Sequence, residues 1–207
     1  FEIGKLVYFS SGAVYDGLLG PVHPGVAICP HLPYAVSNYA CERYAHAFAR
    51  QGRVGQSVAV RFFGAYGPHE PPRKIYTKLV RRFAFERLPS FTIRGDGRNY
   101  IDAMHVEDAV AGILALLRSD KGNLTVDLCS GTPLTINELV RTAAAAFGFP
   151  EVEVEHVGDV PEYIGFYASG EAMSRFLAEL QEGRLLGSHG ARAPLMSARR
   201  HSQRLSM

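Results

Sequence analysis

The sequence predicts an α/β protein built on a largely parallel sheet. Short apolar runs rich in β-formers alternate with longer stretches of helical period, and Gly- and Pro-rich loops separate them. The composition agrees: 207 residues, 47% hydrophobic and 20% charged, suffice for a well-filled core with a smaller appended region.

Lys5 to Phe9 (KLVYF) reads as a buried strand with a polar tip at Ser10-Ser11-Gly12. Asp16 to Pro33 reads as loop. Tyr34 to Arg50 is a helix, with Pro33 before it and Gly52 after it, and Val36, Tyr39, Ala40, Tyr44, Ala47 and Phe48 on its repeat. Ser57 to Phe63 (SVAVRFF) is a second buried strand, and Gly64 to Arg73 a loop. Lys74 to Glu86 follows as a helix with a basic face. Phe91 to Asp102 holds a short strand and a Gly-Asp-Gly turn at Gly95 to Gly97. Val106 to Arg118 is an apolar helix, with acids in its first turn and a base in its last, as the helix dipole favours. Leu124 to Cys129 is a strand, and Thr135 to Glu138 is a capping box opening a helix to about Phe147. Glu151 to His156 is a short strand and Gly170 to Leu180 a last helix. No internal repeat is present.

A formal charge of +2 gives no footprint for a nucleic-acid partner. No stretch reaches the roughly 18 apolar residues of a membrane span. Cys29, Cys41 and Cys129 form no CxxC pair and no metal spacing, so no metal site is expected; an odd, sparse set suits a reducing, cytoplasmic setting. The opening residues read as a strand rather than a secretory signal, and the run from Phe1 straight into that strand predicts a segment preceding it. Residues 184–207 carry five arginines, no Asp or Glu and no sustained period, which predicts a disordered tail.

Tyr34 and Asn38 stand four apart, on one helical face, and are predicted to share a cleft. A tyrosine there serves as general acid/base only if acidified, because a free pKa of about 10 leaves about one part in a thousand ionised at neutrality. Ser11, at a strand tip, is placed to hydrogen-bond a substrate oxygen. On these residues alone, packing is the commoner account of a tyrosine at a helix start.

Four blocks in order extend the pattern. They are Phe9-Ser10-Ser11-Gly12-Ala13-Val14-Tyr15; Pro33-Tyr34-Ala35-Val36-Ser37-Asn38-Tyr39-Ala40-Cys41-Glu42; Arg61-Phe62-Phe63-Gly64-Ala65-Tyr66-Gly67-Pro68; and Gly95-Asp96-Gly97 through Asp102-Ala103-Met104-His105-Val106-Glu107-Asp108-Ala109. Together, over roughly residues 5–148, they resemble the NAD-dependent epimerase/dehydratase family of extended short-chain dehydrogenases, without its dinucleotide-binding start. The resemblance implies a partial Rossmann-like, doubly wound parallel sheet with a smaller C-terminal substrate-binding region. It implies NAD or NADP as cofactor and a nucleotide sugar, or a related hydroxy or keto compound, as substrate. Ser11 and Tyr34 match the catalytic pair. Tyr34, Asn38 and Phe63 fall at cofactor-binding positions, and Ser11, Gly64, Arg98 and Ile101 at substrate-binding ones. His105 and Asp108 are expected to hold a helix start. Relatives often dimerise through two long helices, the Tyr34 helix among them, which makes a homodimer an expectation. The implied division is 1–63 for the second half of the Rossmann unit, 64–105 for a substrate-binding segment, 106–130 for a helix and strand returning to the sheet, 131–183 for further substrate domain, and 184–207 for the tail.

The sequence departs from the family pattern in places that bear on activity. The family's Tyr-x-x-x-Lys motif would put Lys where Asn38 stands. That lysine holds the nicotinamide ribose and acidifies the Tyr; one charge at about 4 Å is worth up to about 4 kcal/mol at an effective dielectric of about 20. Gly64 replaces a common Asn, and Ile101 replaces an Arg that grips the substrate diphosphate; Arg98, Arg73 and Arg82 are the candidates to substitute. No Gly-x-x-Gly-x-x-Gly turn follows a strand, so little NAD binding is expected of these residues alone. The expectation is thus an epimerase, dehydratase or reductase, incomplete as given. The alternatives are a degenerate member acting as a binding or scaffold protein, and a truncated product without activity.

Overall fold

The computed structural model describes residues 2–159 and 164–171. The chain opens with β1 (Lys5–Ser11), a 3₁₀ turn (Gly12–Tyr15), β2 (Gly20–Val22) and α1 (Pro33–Arg50). Next come β3 (Gln56–Phe62), β4 (Ala65–Tyr66), α2 (Ile75–Val80) continued by a π turn (Arg81–Phe85), β5 (Ser90–Arg94), β6 (Tyr100–Ile101) and β7 (Met104–His105). The rest is α3 (Val106–Arg118), β8 (Leu124–Leu128), β9 (Leu134–Thr135), α4 (Ile136–Ala146), β10 (Glu153–Val157) and β11 (Phe166–Ala168).

The centre is a parallel sheet of order β1-β3-β8. Side chains alternate between its faces, and parallel partners in register share a face. Val58, Val60, Val126 and Leu128 therefore point one way and are buried against Ala109 and Leu116 of α3. Ser57, Ala59, Arg61, Thr125 and Asp127 point the other way, toward α1, together with Tyr8 and Ser10 of β1. Helices on both faces explain why β3 is buried from Ser57 to Arg61. Among the described residues β1 pairs with β3 alone, and its Phe9 is 51% exposed on the α3 side.

A second core joins α2, the π turn, β5 and α4 through Leu79, Phe83, Ile93, Leu139 and Val140, with Phe91 and Phe149 beside Phe83. Beside it, β10 runs parallel to β5 and β6 antiparallel to β9. The Gly-Asp-Gly turn docks there: Gly97 has φ +70°, and a Cβ on it would lie 2.5 Å from Asn137 Oδ1, so glycine is required on both counts.

Most predicted elements are present, including both features at helix starts. Thr135 and Glu138 form the reciprocal capping box, and His105 caps α3 by accepting from the Glu107 N–H. One difference is β2, inside the predicted loop, which pairs with β11 some 146 positions later (Gly20 with Phe166). A three-residue strand containing Pro carries no period by which a sequence can announce it. The predicted helix over Gly170 to Leu180 lies beyond the described residues except for its first two, and the predicted tail over 184–207 lies wholly beyond them.

Candidate active site

Ser11 ends β1 and caps the following 3₁₀ turn: its Oγ accepts from the Ala13 N–H at 3.1 Å, which leaves the hydroxyl proton free for another acceptor. It lines a cleft of about 530 Å³ whose walls come from β1, β5, β6, the start of α2 and Phe63. Phe63 is fixed by ring contacts to Tyr15 and Phe166, at centroid distances of 6.1 and 6.3 Å. Its ring lies so close to Gly12 that a Cβ there would come within 3.1 Å of it.

The other predicted site residues fall in different surroundings. Tyr34 lies in the first turn of α1 with 63% of its surface exposed. Asn38, one turn on, is buried, and its amide is engaged inside the fold. Its Nδ2 donates to the Tyr34 carbonyl at 2.8 Å, and its Oδ1 accepts from the Tyr8 hydroxyl at 3.1 Å. The short amide ties α1 to β1 instead of reaching outward, so neither residue lines the cleft they were expected to share. Gly64 holds φ +120°, where any side chain is strained, and its carbonyl accepts from the Met104 N–H at 3.1 Å. Arg98 is exposed, 3.7 Å from the Asp96 carboxylate, and outside the cleft. Ile101 is an apolar wall of the cleft, packed against the second core.

Beneath Ser11 lies a buried polar network. Arg61 donates to both carboxylate oxygens of Glu42, at 2.8 Å from one nitrogen and 3.0 Å from another, and at 2.9 Å to the Tyr15 hydroxyl. Tyr15 donates to Asp127 at 2.9 Å, and Ser10 donates to Glu42 at 2.5 Å. Burial opposes the charge on Arg61, but the bonds to Glu42 and Tyr15 outweigh it and hold the guanidinium protonated. Burial pushes the Asp127 carboxyl up to about 7, against the pull of Tyr15 and Arg61. It also pushes the Tyr8 phenol up to about 12, with Cys41 and Glu42 adding to the rise. The signal for this network was in the sequence: Arg61 and Asp127 are charges inside apolar strands, and Glu42 lies two helical turns beyond Tyr34.

Residues 1–128 match the model of the "NAD dependent epimerase/dehydratase family". The chain belongs to that family. A protein of Bacillus subtilis (strain 168) described as an uncharacterized UDP-glucose epimerase is 30% identical over 116 residues, which are 56% of this chain and 36% of that protein. The structure of MoeE5 with UDP-glucuronic acid and NAD superposes with TM-score 0.67 at 30% identity, over 83% of this chain and 57% of that one. The UDP-glucuronic acid 4-epimerase of Bacillus cereus, in complex with UDP-glucuronic acid and NAD, gives TM-score 0.76 at 21% identity, over 99% and 60%, and shows the shared Rossmann-type fold. The chain spans about a third to a half of the length of the curated relatives it matches. Family structures hold NAD or NADPH, so NAD(P) is the cofactor of the family. Among the described residues no helix is long and apolar enough to cross a membrane, and no group of His, Cys, Asp and Glu is arranged to hold a metal.

The residues present fit NAD(P) in part. Ser11 and Phe63 offer a polar atom and an aromatic wall beside the strand tips, where ligands of such sheets sit. No glycine-rich turn leads from a described strand into a described helix to cradle a pyrophosphate, and the Asn38 amide is already engaged.

Proposed function

We propose that this chain is the catalytic and substrate-binding part of an NAD(P)-dependent epimerase/dehydratase that acts on a sugar nucleotide. The observation that carries the reading is the cleft at the tip of β1, lined both by Ser11, whose hydroxyl proton is free, and by the cationic side chains of Arg73, Lys78 and Arg94. In it Ser11 donates to the reacting sugar oxygen; the Tyr34 phenol, which lies outside the cleft at the exposed start of α1, is the group that the family resemblance assigns to proton exchange. Phe63 and Ile101 exclude water from the sugar. NAD(P) would supply hydride exchange; its pyrophosphate is expected to find its cradle outside the residues described.

The test joins this chain to the dinucleotide-binding half of the B. subtilis relative and supplies NAD with UDP-glucose, UDP-glucuronic acid or dTDP-glucose. Nuclear magnetic resonance should show an epimerised or dehydrated sugar, lost on Tyr34→Phe and strongly reduced on Ser11→Ala. The internal engagement of Asn38, with no cation at that position, favours a second reading: a protein that binds the nucleotide sugar without turning it over. Binding that persists while no product forms with any of the three substrates would select it and sink the enzyme reading.

A further inference from the structure

Ser11 and Tyr34 stand on different elements, and the chain between the 3₁₀ turn and α1 must set how they lie relative to one another. The start of α1 has no cap of its own. Its N-cap position is Leu32, which offers no side-chain acceptor; Pro33 opens the first turn, and that turn holds no acidic residue. Such a helix start leaves backbone donors to be satisfied from elsewhere.

The acceptor comes from the other end of the loop. Asp16 closes the 3₁₀ turn and donates its N–H to the Ala13 carbonyl at 2.9 Å. One oxygen of its carboxylate, Oδ2, accepts from the His31 and Leu32 N–H groups at 2.9 and 3.0 Å. A continuous run of bonds results. Ser11 Oγ accepts from Ala13, the Ala13 carbonyl from Asp16, the Asp16 carboxylate from Leu32, and the Leu32 carbonyl from Val36, across the turn that carries Tyr34. The loop between is packed: Leu18, Val26 and Ile28 join the apolar cluster around Val14 and Val22, and Tyr39 of α1 joins it too. The His31 ring lies 3.9 Å from the same carboxylate but is 78% exposed, so the backbone bonds and not that ion pair hold the junction.

We propose that Asp16 is a positioning residue of this site, the clamp that fixes the Tyr34 phenol relative to the Ser11 hydroxyl. It acts through other residues, by tying the first turn of α1 to the 3₁₀ turn. Its role in catalysis rests on the reading of Ser11 and Tyr34 as the reacting pair, and the test separates the two.

The full chain, carrying 3-fluorotyrosine at position 34, is followed by fluorine magnetic resonance and by amide hydrogen exchange. Asp16→Ala should broaden or split the parent resonance. It should also quicken exchange at His31, Leu32 and Val36 about tenfold, the scale of one bond to a charged group, while the amides of β3 keep their protection. Asp16→Asn should restore both signals, because a single side-chain oxygen accepts both bonds; His31→Ala should match the parent, because the backbone N–H remains. Asp16→Ser, with a hydroxyl one bond shorter, serves as the milder variant should Asp16→Ala unfold, and the same release is expected of it. In the joined, NAD-supplied protein Asp16→Ala should lower kcat about ten- to a hundredfold with KM near the parent value, the scale on which a misplaced reacting group costs rate. A position-34 resonance and exchange that match the parent overturn the clamp whatever the turnover, and so does a loss of protection spread equally over β3. If Tyr34 is released but kcat stays at the parent value, the positioning role is overturned. If the joined parent forms no product while Asp16→Ala still releases Tyr34 and Asp16→Asn restores it, the clamp stands and the enzyme reading falls.

Discussion

The two faces of the β1-β3-β8 sheet use the same strands in opposite ways. Toward α3 the strands present valines and leucines, packed without direction against Ala109 and Leu116. Toward α1 they present Ser10, Arg61 and Asp127, each hydrogen-bonded, with Glu42 and Tyr15 completing the set. The apolar face supplies burial, and burial tolerates small shifts. The polar face supplies directions: it ties the tip of β1, where Ser11 begins the cleft, to the helix that carries Tyr34. Bond lengths near 3 Å leave little slack, which suits a site that must hold geometry.

The largest expected effect breaks the polar face at its centre. Arg61→Met leaves Glu42 buried without its cation and should cost about 3 to 5 kcal/mol in urea unfolding. Replacing both partners, Arg61→Met with Glu42→Leu, should recover much of that loss, because neither desolvated charge remains. On the opposite face Leu116→Ala should cost about 2 to 4 kcal/mol through its cavity, yet leave ligand binding in the cleft unchanged. If Leu116→Ala weakens binding as much as the Arg61 change does, the division of labour between the faces is wrong.

Asp127 makes the polar face sensitive to pH. Burial raises its pKa to about 7, with Glu42 and Asp102 adding to the rise and with Tyr15 and Arg61 opposing it. An unfolded Asp releases its proton near pH 4. Because the folded value is the higher one, the stabilisation is full below about pH 4 and is lost as pH rises toward about 7. Those three or so units set an upper bound of about 4 kcal/mol. Asp127→Asn keeps an acceptor for Tyr15 and removes the titration. Its melting temperature should match the parent near pH 4, exceed it at pH 8 and show a flatter slope between. A parent whose melting temperature stays level across that range would count against a neutral Asp127 in the fold.

The difference between the faces was half legible in the sequence. The apolar face was plain in its parts, since SVAVRFF reads as a buried strand and Val106 to Arg118 as an apolar helix, each in need of a partner. Arg61 and Asp127 stood out in those runs, but the pairing with Glu42 needs the angle between α1 and β3, which spacing does not give. Asn38 shows the same limit. It stands one turn from Tyr34, as the spacing requires, but burial of its side chain and capture of its amide by Tyr8 depend on the distance between strand and helix. Long cations were hardest to place. Arg73, Arg82 and Arg98 had equal claims on the cleft, yet Arg82 turns to Ser90 and Glu86, and Arg98 to Asp96. Of the three only Arg73 lines the cleft, beside Lys78 and Arg94. Flexible stems of this length choose their direction by local partners rather than by sequence position.

The smallest expected effect lies at the rim of the polar face, where Tyr8 meets Asn38. Tyr8→Phe removes one hydrogen bond and should lower stability by only about 1 kcal/mol. Its value is in what it does to Asn38. With Oδ1 released, the amide keeps only its bond to the Tyr34 carbonyl and is free to turn. If Asn38 serves to hold the first turn of α1, hydrogen exchange over residues 34–38 should quicken in this variant while the amides of β3 keep their protection. Asn38→Lys extends the test, because a lysine cannot accept from Tyr8 and must direct its ammonium outward. In the joined, NAD-supplied protein it should raise turnover, since it restores a cation beside Tyr34 at the cost of the same tie. A gain in turnover with faster exchange in the first turn would show that position 38 trades rigidity for charge. No gain would mean that the polar face, and not a missing cation, sets what this site can do.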